Sequence, residues 1–298
     1  MEIKDLNRLF RNEQVVTHAT VKAMDKLKFA RFLPKVDVGE DIDTLTYLQP
    51  EMTYEEARDK GEYIPLKPVA DGAYLETLKY IKHIDKTLSF AMAGGKLRVE
   101  QKLIEQQPES FYDILKWVGY GIADKIEETA LNVFMNKATK TYTQQTGEDW
   151  GDFIIESQEE FNTGDLNMLG MNSASFSSLR KELKDKNEQV IPVEDVKSYY
   201  RTSNILYQNA ANVNLGASDK LDKKVVGMDL NNKPAKIFYS KHPRTTSAPS
   251  DDTTYQPILQ YKKDSHLEGI PEYHDLYFVC KFGIWMEQPD LAFVGETL

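Results

Sequence analysis

The chain has 298 residues, 41% hydrophobic and 28% charged, with 47 acidic against 37 basic side chains and a formal charge of −10. That length supports one large domain or two modest ones, and the composition excludes wholesale disorder. A field this acidic argues against a dedicated nucleic-acid reader but allows contact through one local face. Cys280 is the only cysteine, so no internal disulfide exists. No apolar run is long enough to cross a bilayer, and Met1-Glu2-Ile3-Lys4-Asp5 lacks the pattern of an export signal. The reading is a soluble chain made in a reducing cytoplasm.

Up to about Tyr47 the sequence is mixed. Leu6, Leu9 and Phe10 mark a short helix, Gln14 to Val21 reads as extended, and Phe29-Ala30-Arg31-Phe32-Leu33-Pro34 leads into an alternating stretch ending at Val38. Few of these residues can bury one another, so the segment is expected to be an arm lying on something else. Glu62 to Lys67 and Leu78 to Ile84 alternate apolar and polar residues, the period of half-exposed strands, around a turn signal at Val69 to Ala73. The pair predicts a long charged hairpin. Lys96 to Glu100 alternates again after Gly94-Gly95.

The strongest helix signal follows Pro108. Ser110 and Asp113 are spaced as a capping pair, and Phe111, Ile114, Leu115, Val118, Ile122, Ile126, Ala130, Val133 and Phe134 form one apolar stripe ending near Lys137 or Lys140. Gly119 and Gly121 interrupt it at a cost in propensity, which admits a close backbone approach. Thr139 to Gly151 is a polar connector and the best domain boundary. Beyond it, helices are expected over Asp152–Phe161 and Ser173–Lys186, the latter with Phe176, Leu179 and Leu183 on one face. Asn167 to Asn172 is a short apolar segment ending in a turn. Leu230 to Pro234 is an Asn-rich turn, Ala235 to Tyr239 a strand and Arg244 to Gln256 an exposed loop. Leu276 to Trp285 and Asp290 to Val294 are closing strands.

Catalytic patterns are scarce. His18, His83, His242, His266 and His274 are scattered, with no i, i+4 metal pair. Cys280 lies in an apolar strand and reads as a small buried hydrophobe. Gly94-Gly95-Lys96 lacks the earlier glycine and the following hydroxyl of a phosphate loop, and Gly119-Tyr120-Gly121 falls inside a helix. Pairs such as Glu55-Glu56, Glu127-Glu128 and Glu159-Glu160 read as solvated faces. Tyr277, Phe278, Phe282 and Trp285 line either a ligand site or, better, a sheet core or subunit contact. No cofactor and no metal site is expected, and the chain reads as a non-enzyme.

An arm, a charged hairpin, a beam helix, a compact mixed domain and a returning strand, in that order, resemble the major capsid proteins of tailed phages and related archaeal viruses, the α+β Hong Kong 97-type fold that encapsulins share. Lys28 to Pro34 looks like the arm, Glu62 to Ile84 the extended loop, Ser110 to Lys137 the spine helix around Ala123-Asp124-Lys125-Ile126-Glu127, Leu169 to Asn172 the start of the axial domain, and Phe282 to Ala292 the closing strand and turn. The resemblance implies an arm over 1–50, an extended hairpin loop over 51–97, a peripheral subdomain over 98–149 and 257–298, and an axial subdomain over 150–256.

It also implies a capsid protein forming pentamers and hexamers of an icosahedral head around double-stranded DNA. Partners would be other copies, a separate scaffolding protein or none, portal and decoration proteins, and packaged DNA through non-specific contact, with no membrane. The location would be the virion, after synthesis in the host cytoplasm. An encapsulin-like compartment and another phage part, tail or decoration, are the alternatives. Lys67, Lys79, Lys82 and Lys86 in the hairpin either meet Asp124, Glu127 or Glu128 of a neighbour or keep the strand edges soluble.

Overall fold

The computed structural model describes residues 19, 21–23, 26–27, 29–40, 42–52, 54–60, 83–100, 103, 106–187, 204–208, 221, 223–241, 246–247, 260–265 and 273–297. In chain order it runs β1 (Lys35–Glu40), β2 (Thr44–Pro50), α1 (Tyr54–Asp59), β3 (His83–Ser89), β4 (Ala91–Glu100), α2 (Pro108–Lys137), β5 (Lys140–Thr143), α3 (Trp150–Glu160), β6 (Met168–Asn172) and α4 (Ser173–Asn187). Then follow β7 (Asn204–Gln208), β8 (Lys224–Met228), β9 (Ala235–Lys241), β10 (Thr246–Ser247), β11 (Gln260–Ser265), β12 (Tyr273–Met286) and β13 (Ala292–Glu296). The chain divides into two compact units, residues 44–89 and the remainder.

In the larger unit, β12 is the organising strand. Its 14 residues pair antiparallel with β4, β9 and β11, and β9 pairs parallel with β1. Strand alternation sends Leu276, Phe278, Cys280, Phe282, Ile284 and Met286 to one buried side, where they join the apolar stripe of α2. The 30 residues of α2 span about 45 Å at the usual helical rise. Burial pushes the Cys280 thiol up to about 12, which fits a packing residue and not a nucleophile.

The second sheet runs in the order β5-β13-β8-β6-β7, and its central strands β13, β8 and β6 are buried on both faces. Met168, Val226, Met228, Ala292 and Val294 join the α2 core, while Leu169, Met171, Val225 and Phe293 pack with Phe153, Ile154 and Leu179 in a second cluster. That double burial explains the unbroken apolar runs Val225-Val226 and Ala292-Phe293-Val294. Helix α3 opens with Asp149 accepting from the Asp152 amide at 2.9 Å, and Glu182 of α4 accepts from Trp150 N at 2.7 Å. The Asn-rich turn after β8 is organised by buried Asp229, whose carboxylate accepts from Asn231 N and Asn232 Nδ2 at 2.8 Å each. Burial works to raise the Asp229 pKa, but these hydrogen bonds win and hold it below the ordinary value.

Several expectations shift. Helix α2 starts at Pro108, and no side chain caps it, so Ser110 sits inside the first turn. Proline in the first turn is pre-set for helix and takes over the start. Residues 19 and 21, inside the stretch Gln14 to Val21 expected to be extended, are helical, and Ala19 lies against Gly119. The polar connector carries β5, which pairs parallel with β13. Residues 168–172 form a strand, and Pro289–Leu291 is a 3-10 turn before β13. Most of 244–256, and the hairpin strands 62–67 and 78–82, lie outside the described residues.

In the smaller unit, β2 and β3 pair antiparallel over seven positions, from Thr44 opposite Ser89 to Pro50 opposite His83. The described ladder therefore begins earlier in the chain than the predicted hairpin and ends later. One face carries Leu45, Tyr47, Ile84 and Leu88, all at least partly buried, together with exposed Lys86 opposite Tyr47. The other carries Thr44, Thr46, Leu48, Asp85, Thr87 and Ser89, all exposed, with Leu48 at 71%.

Candidate assembly surface

Helix α2 has two flanks, and each predicted acidic residue falls on one of them. The inner flank receives Ala19, Ala23, Leu27, Phe29, Ala30 and Leu33. A Cβ added at Gly119 would lie 2.3 Å from the Ala19 carbonyl oxygen and 3.0 Å from Ala23 N, so two backbones meet where only glycine fits. About four turns on, Phe29 meets Phe134 edge to face at 4.7 Å. Glu127 is 7% exposed, and its carboxylate accepts from Phe29 N at 2.5 Å and Ala30 N at 3.1 Å, fastening the 3-10 turn Ala30–Phe32 to the helix. The segment expected to be an arm thus lies, over these residues, on the chain's own helix. The physical reason is the row Ala19, Ala23, Leu27, Phe29, Ala30 and Leu33, which joins the main core.

The other sequence-selected residues differ from Glu127. Asp124 is half-buried, with burial raising its carboxyl pKa and nearby Lys26 acting in the opposite direction. Glu128 is partly exposed and pairs with Lys125 at 3.1 Å. Lys86 is exposed on β3, opposite Tyr47 of β2. Lys67, Lys79 and Lys82 lie outside the described residues. The structure therefore groups Asp124, Glu127 and Glu128 on consecutive turns of one helix, and turns Glu127 inward.

The outer flank is a ridge at steps of four: Glu109, Asp113, Trp117, Gly121 and Lys125 are all exposed. Trp117 stands 71% exposed and meets Tyr120 edge to face at 6.3 Å. Tyr120 is in turn flanked by the ammonium groups of Lys26 and Lys116, 5.1 and 5.6 Å from its ring centre. Beside the ridge an open groove of about 350 Å³ runs between α2 and β4, lined by Val118, Gly121, Ile122, Gly95, Leu97 and Phe278 among others. At Gly95 and Gly121 an added Cβ would meet nothing within 4 Å, so the groove has no side-chain filling there. The sequence marks Gly121 as a place of close approach but gives Trp117 no role. The step-of-four ridge was the available signal.

On the opposite face of the first sheet, buried Asp275 accepts from Arg98 Nε at 2.8 Å and Nη2 at 3.1 Å, and Lys96 Nζ lies 2.7 Å away. Lys96 also stands over the Tyr277 ring. This ladder ties β4 to β12 and places Tyr277 at a strand contact, while Phe278 and Phe282 belong to the core. Among the described residues no group of three or more His, Cys, Asp or Glu is arranged to hold a metal. No described helix is long and apolar enough to cross a membrane.

No protein-family model matches the sequence, and no curated protein is significantly similar to it. Solved structures do match. A virus-like particle from Pyrococcus furiosus is similar with a TM-score of 0.58 at 11% identity, over 96% of this chain and 100% of that one. The structure of Mycobacterium phage Adephagia gives 0.55 at 11% identity, over 93% and 90%. The capsid of cyanophage P-SCSP1u gives 0.53 at 7% identity, over 90% and 86%. The chain has the α+β fold of these capsid structures, the Hong Kong 97-type fold.

Proposed function

We propose that this chain is a structural shell protein, the major capsid protein of a virus, whose copies assemble through pentamers and hexamers into an icosahedral head around double-stranded DNA. The observation that carries this reading is the likeness over nearly the whole chain to a virus-like particle and to phage capsids. In this reading residues 98–149 and 257–298 form the peripheral part, 150–256 the axial part, and 1–50 and 51–97 the arm and extended loop. Other copies, a separate scaffold, portal and decoration proteins, and DNA are the partners, and no catalysis is assigned. The chain would work in the virion, after synthesis in the host cytoplasm.

The smaller unit supports the same reading. A two-stranded ladder is marginal alone in water, and one face of this one exposes Leu48 among Thr and Ser. Laid on a neighbouring copy, its lysines, Lys86 among the described residues and Lys67, Lys79 and Lys82 beyond them, would face the partly exposed carboxylates of Asp124 and Glu128. Many such weak contacts linked in one shell multiply in avidity. The likeness to a virus-like particle from Pyrococcus furiosus, and not from a phage, keeps an encapsulin-like compartment holding protein cargo as the second reading.

Negative-stain electron microscopy of the purified chain across concentration and salt, with light scattering on a sizing column, tests the proposal. Closed shells, or discrete pentamers and hexamers, are expected. Copurifying protein cargo would select the compartment. A monomer or small dimer under every condition would overturn the shell reading.

A further inference from the structure

We propose that the exposed ridge of α2 is a self-complementary, two-fold contact between copies, in which Trp117 of each copy fills the other's groove at Gly121 and Gly95. The inference stands apart from the shell reading, since it requires only two chains.

The ridge reads acid, aromatic, glycine, base at steps of four: Asp113, Trp117, Gly121, Lys125. Two such ridges crossed antiparallel about position 119 put each residue against its complement. Trp117 faces Gly121 of the second copy, and Asp113 faces Lys125 of the second copy, each pair occurring twice as a two-fold axis demands. Ridges at steps of four interlock at a crossing of about 50°, with axes roughly 8–10 Å apart. At that angle only the central pairs touch, and these are the four named positions. Close approach needs a residue without a side chain at the crossing, and Gly121 supplies it.

Charge selects a second copy as the occupant. Lys125 is 52% exposed, and its pairing with Glu128 is a surface i, i+3 contact that holds it weakly. Asp113 is exposed on the same ridge. An unrelated apolar ligand would use the groove but would leave this opposed acid and base without a purpose. Tyr120, held by Lys26 and Lys116, keeps Trp117 from swinging freely, so less side-chain freedom is lost when the ring is buried. A large aromatic anchor entering a pocket is the usual centre of binding energy in a protein contact.

The test is a charge swap, read by sedimentation velocity over a concentration series at low salt. Asp113→Lys and Lys125→Asp are each expected to weaken pairing about 10-fold or more, and the double variant to recover most of it, because the reversed ridge is again self-complementary. Trp117→Ala is expected to weaken pairing at least about 30-fold. All three substituted sites are exposed, so far-ultraviolet circular dichroism should not change. A second readout mixes an Asp113→Cys chain with a Lys125→Cys chain and adds a short bismaleimide. Cys280 is buried, so only a mixed pair across the contact yields the crosslinked dimer. Single reversals that associate like wild type, a double variant no better than either single, or a wild-type monomer at about 100 μM would overturn the proposal. Shells that form without the crosslink overturn this contact and leave the shell reading. Crosslinked dimers that never form shells do the reverse.

Discussion

Along α2, the flank that meets Ala19, Ala23, Phe29 and Ala30 and the ridge that runs through Trp117 differ in how their groups are satisfied. On the inner flank each feature has its partner in the same chain: Gly119 has the Ala19 backbone, Phe134 has Phe29, and Glu127 has two amides. On the ridge, an acid, an aromatic, a glycine and a base stand exposed beside an open groove. The helix periodicity that builds both is the same, so periodicity alone does not tell a folding surface from an assembly surface. Burial of the partnered groups does: Glu127 and Phe134 are buried with their partners, whereas Trp117 and Lys125 stay exposed despite Tyr120 and Glu128. Substitutions on the inner flank should act on folding, and those on the ridge on association.

The largest effect is expected at Glu127. Glu127→Ala leaves the Phe29 and Ala30 amides buried without acceptors, and an unsatisfied buried group costs about 1–3 kcal/mol. A loss of about 3 kcal/mol in urea unfolding is expected, with Glu127→Gln losing less because its amide oxygen still accepts. If Glu127→Ala unfolds within about 0.5 kcal/mol of wild type, the N-terminal segment does not depend on this carboxylate and the two flanks are more alike than their contacts suggest.

One substitution made at two glycines sharpens the comparison. Alanine is favoured over glycine inside a helix by about 0.5–1 kcal/mol. At Gly121 nothing stands within 4 Å of the new methyl, so Gly121→Ala should stabilise the separated chain by about that amount. At Gly119 the methyl would press on the Ala19 carbonyl, so Gly119→Ala should destabilise by about 1–3 kcal/mol. Opposite signs two residues apart, in thermal unfolding at a concentration that keeps chains apart, are the expected result. Equal signs would place the two glycines in equivalent surroundings and remove the distinction between flanks.

The fold was largely legible where one period ran long enough. The stripe from Phe111 to Phe134 gave α2, and the aromatic run from Leu276 to Trp285 gave most of β12. Ser173 to Lys186 gave α4 to within a residue. The seating of Ala19, Ala23, Phe29 and Ala30 on α2 was not legible, because their partners there lie nearly a hundred positions away. Nothing local to Phe29 or Ala30 announces an acceptor at Glu127. A separation of 177 positions likewise hid Asp275 beneath Arg98. Charge type selected Asp124, Glu127 and Glu128 together, whereas burial separates Glu127 from the other two. Trp117 passed unnoticed because an exposed aromatic looks, in sequence, like any other member of an apolar helix.

The smallest effect is expected at Asp124, which lies between the two flanks. Burial raises its carboxyl pKa, and Lys26 offsets this only in part. The folded chain therefore holds the Asp124 proton more tightly than the unfolded chain does. Its charge costs stability at neutral pH, and that cost fades as pH falls through the raised folded value toward the ordinary carboxylate range. Asp124→Asn removes the charge while keeping the size, so it should unfold at a slightly higher temperature than wild type at pH 7. The two should converge as the medium is acidified through that window. Paired thermal scans from neutral to acid pH measure the difference. A variant less stable than wild type at pH 7 would mean that attraction to Lys26 outweighs burial, and would assign Asp124 to the partnered flank beside Glu127.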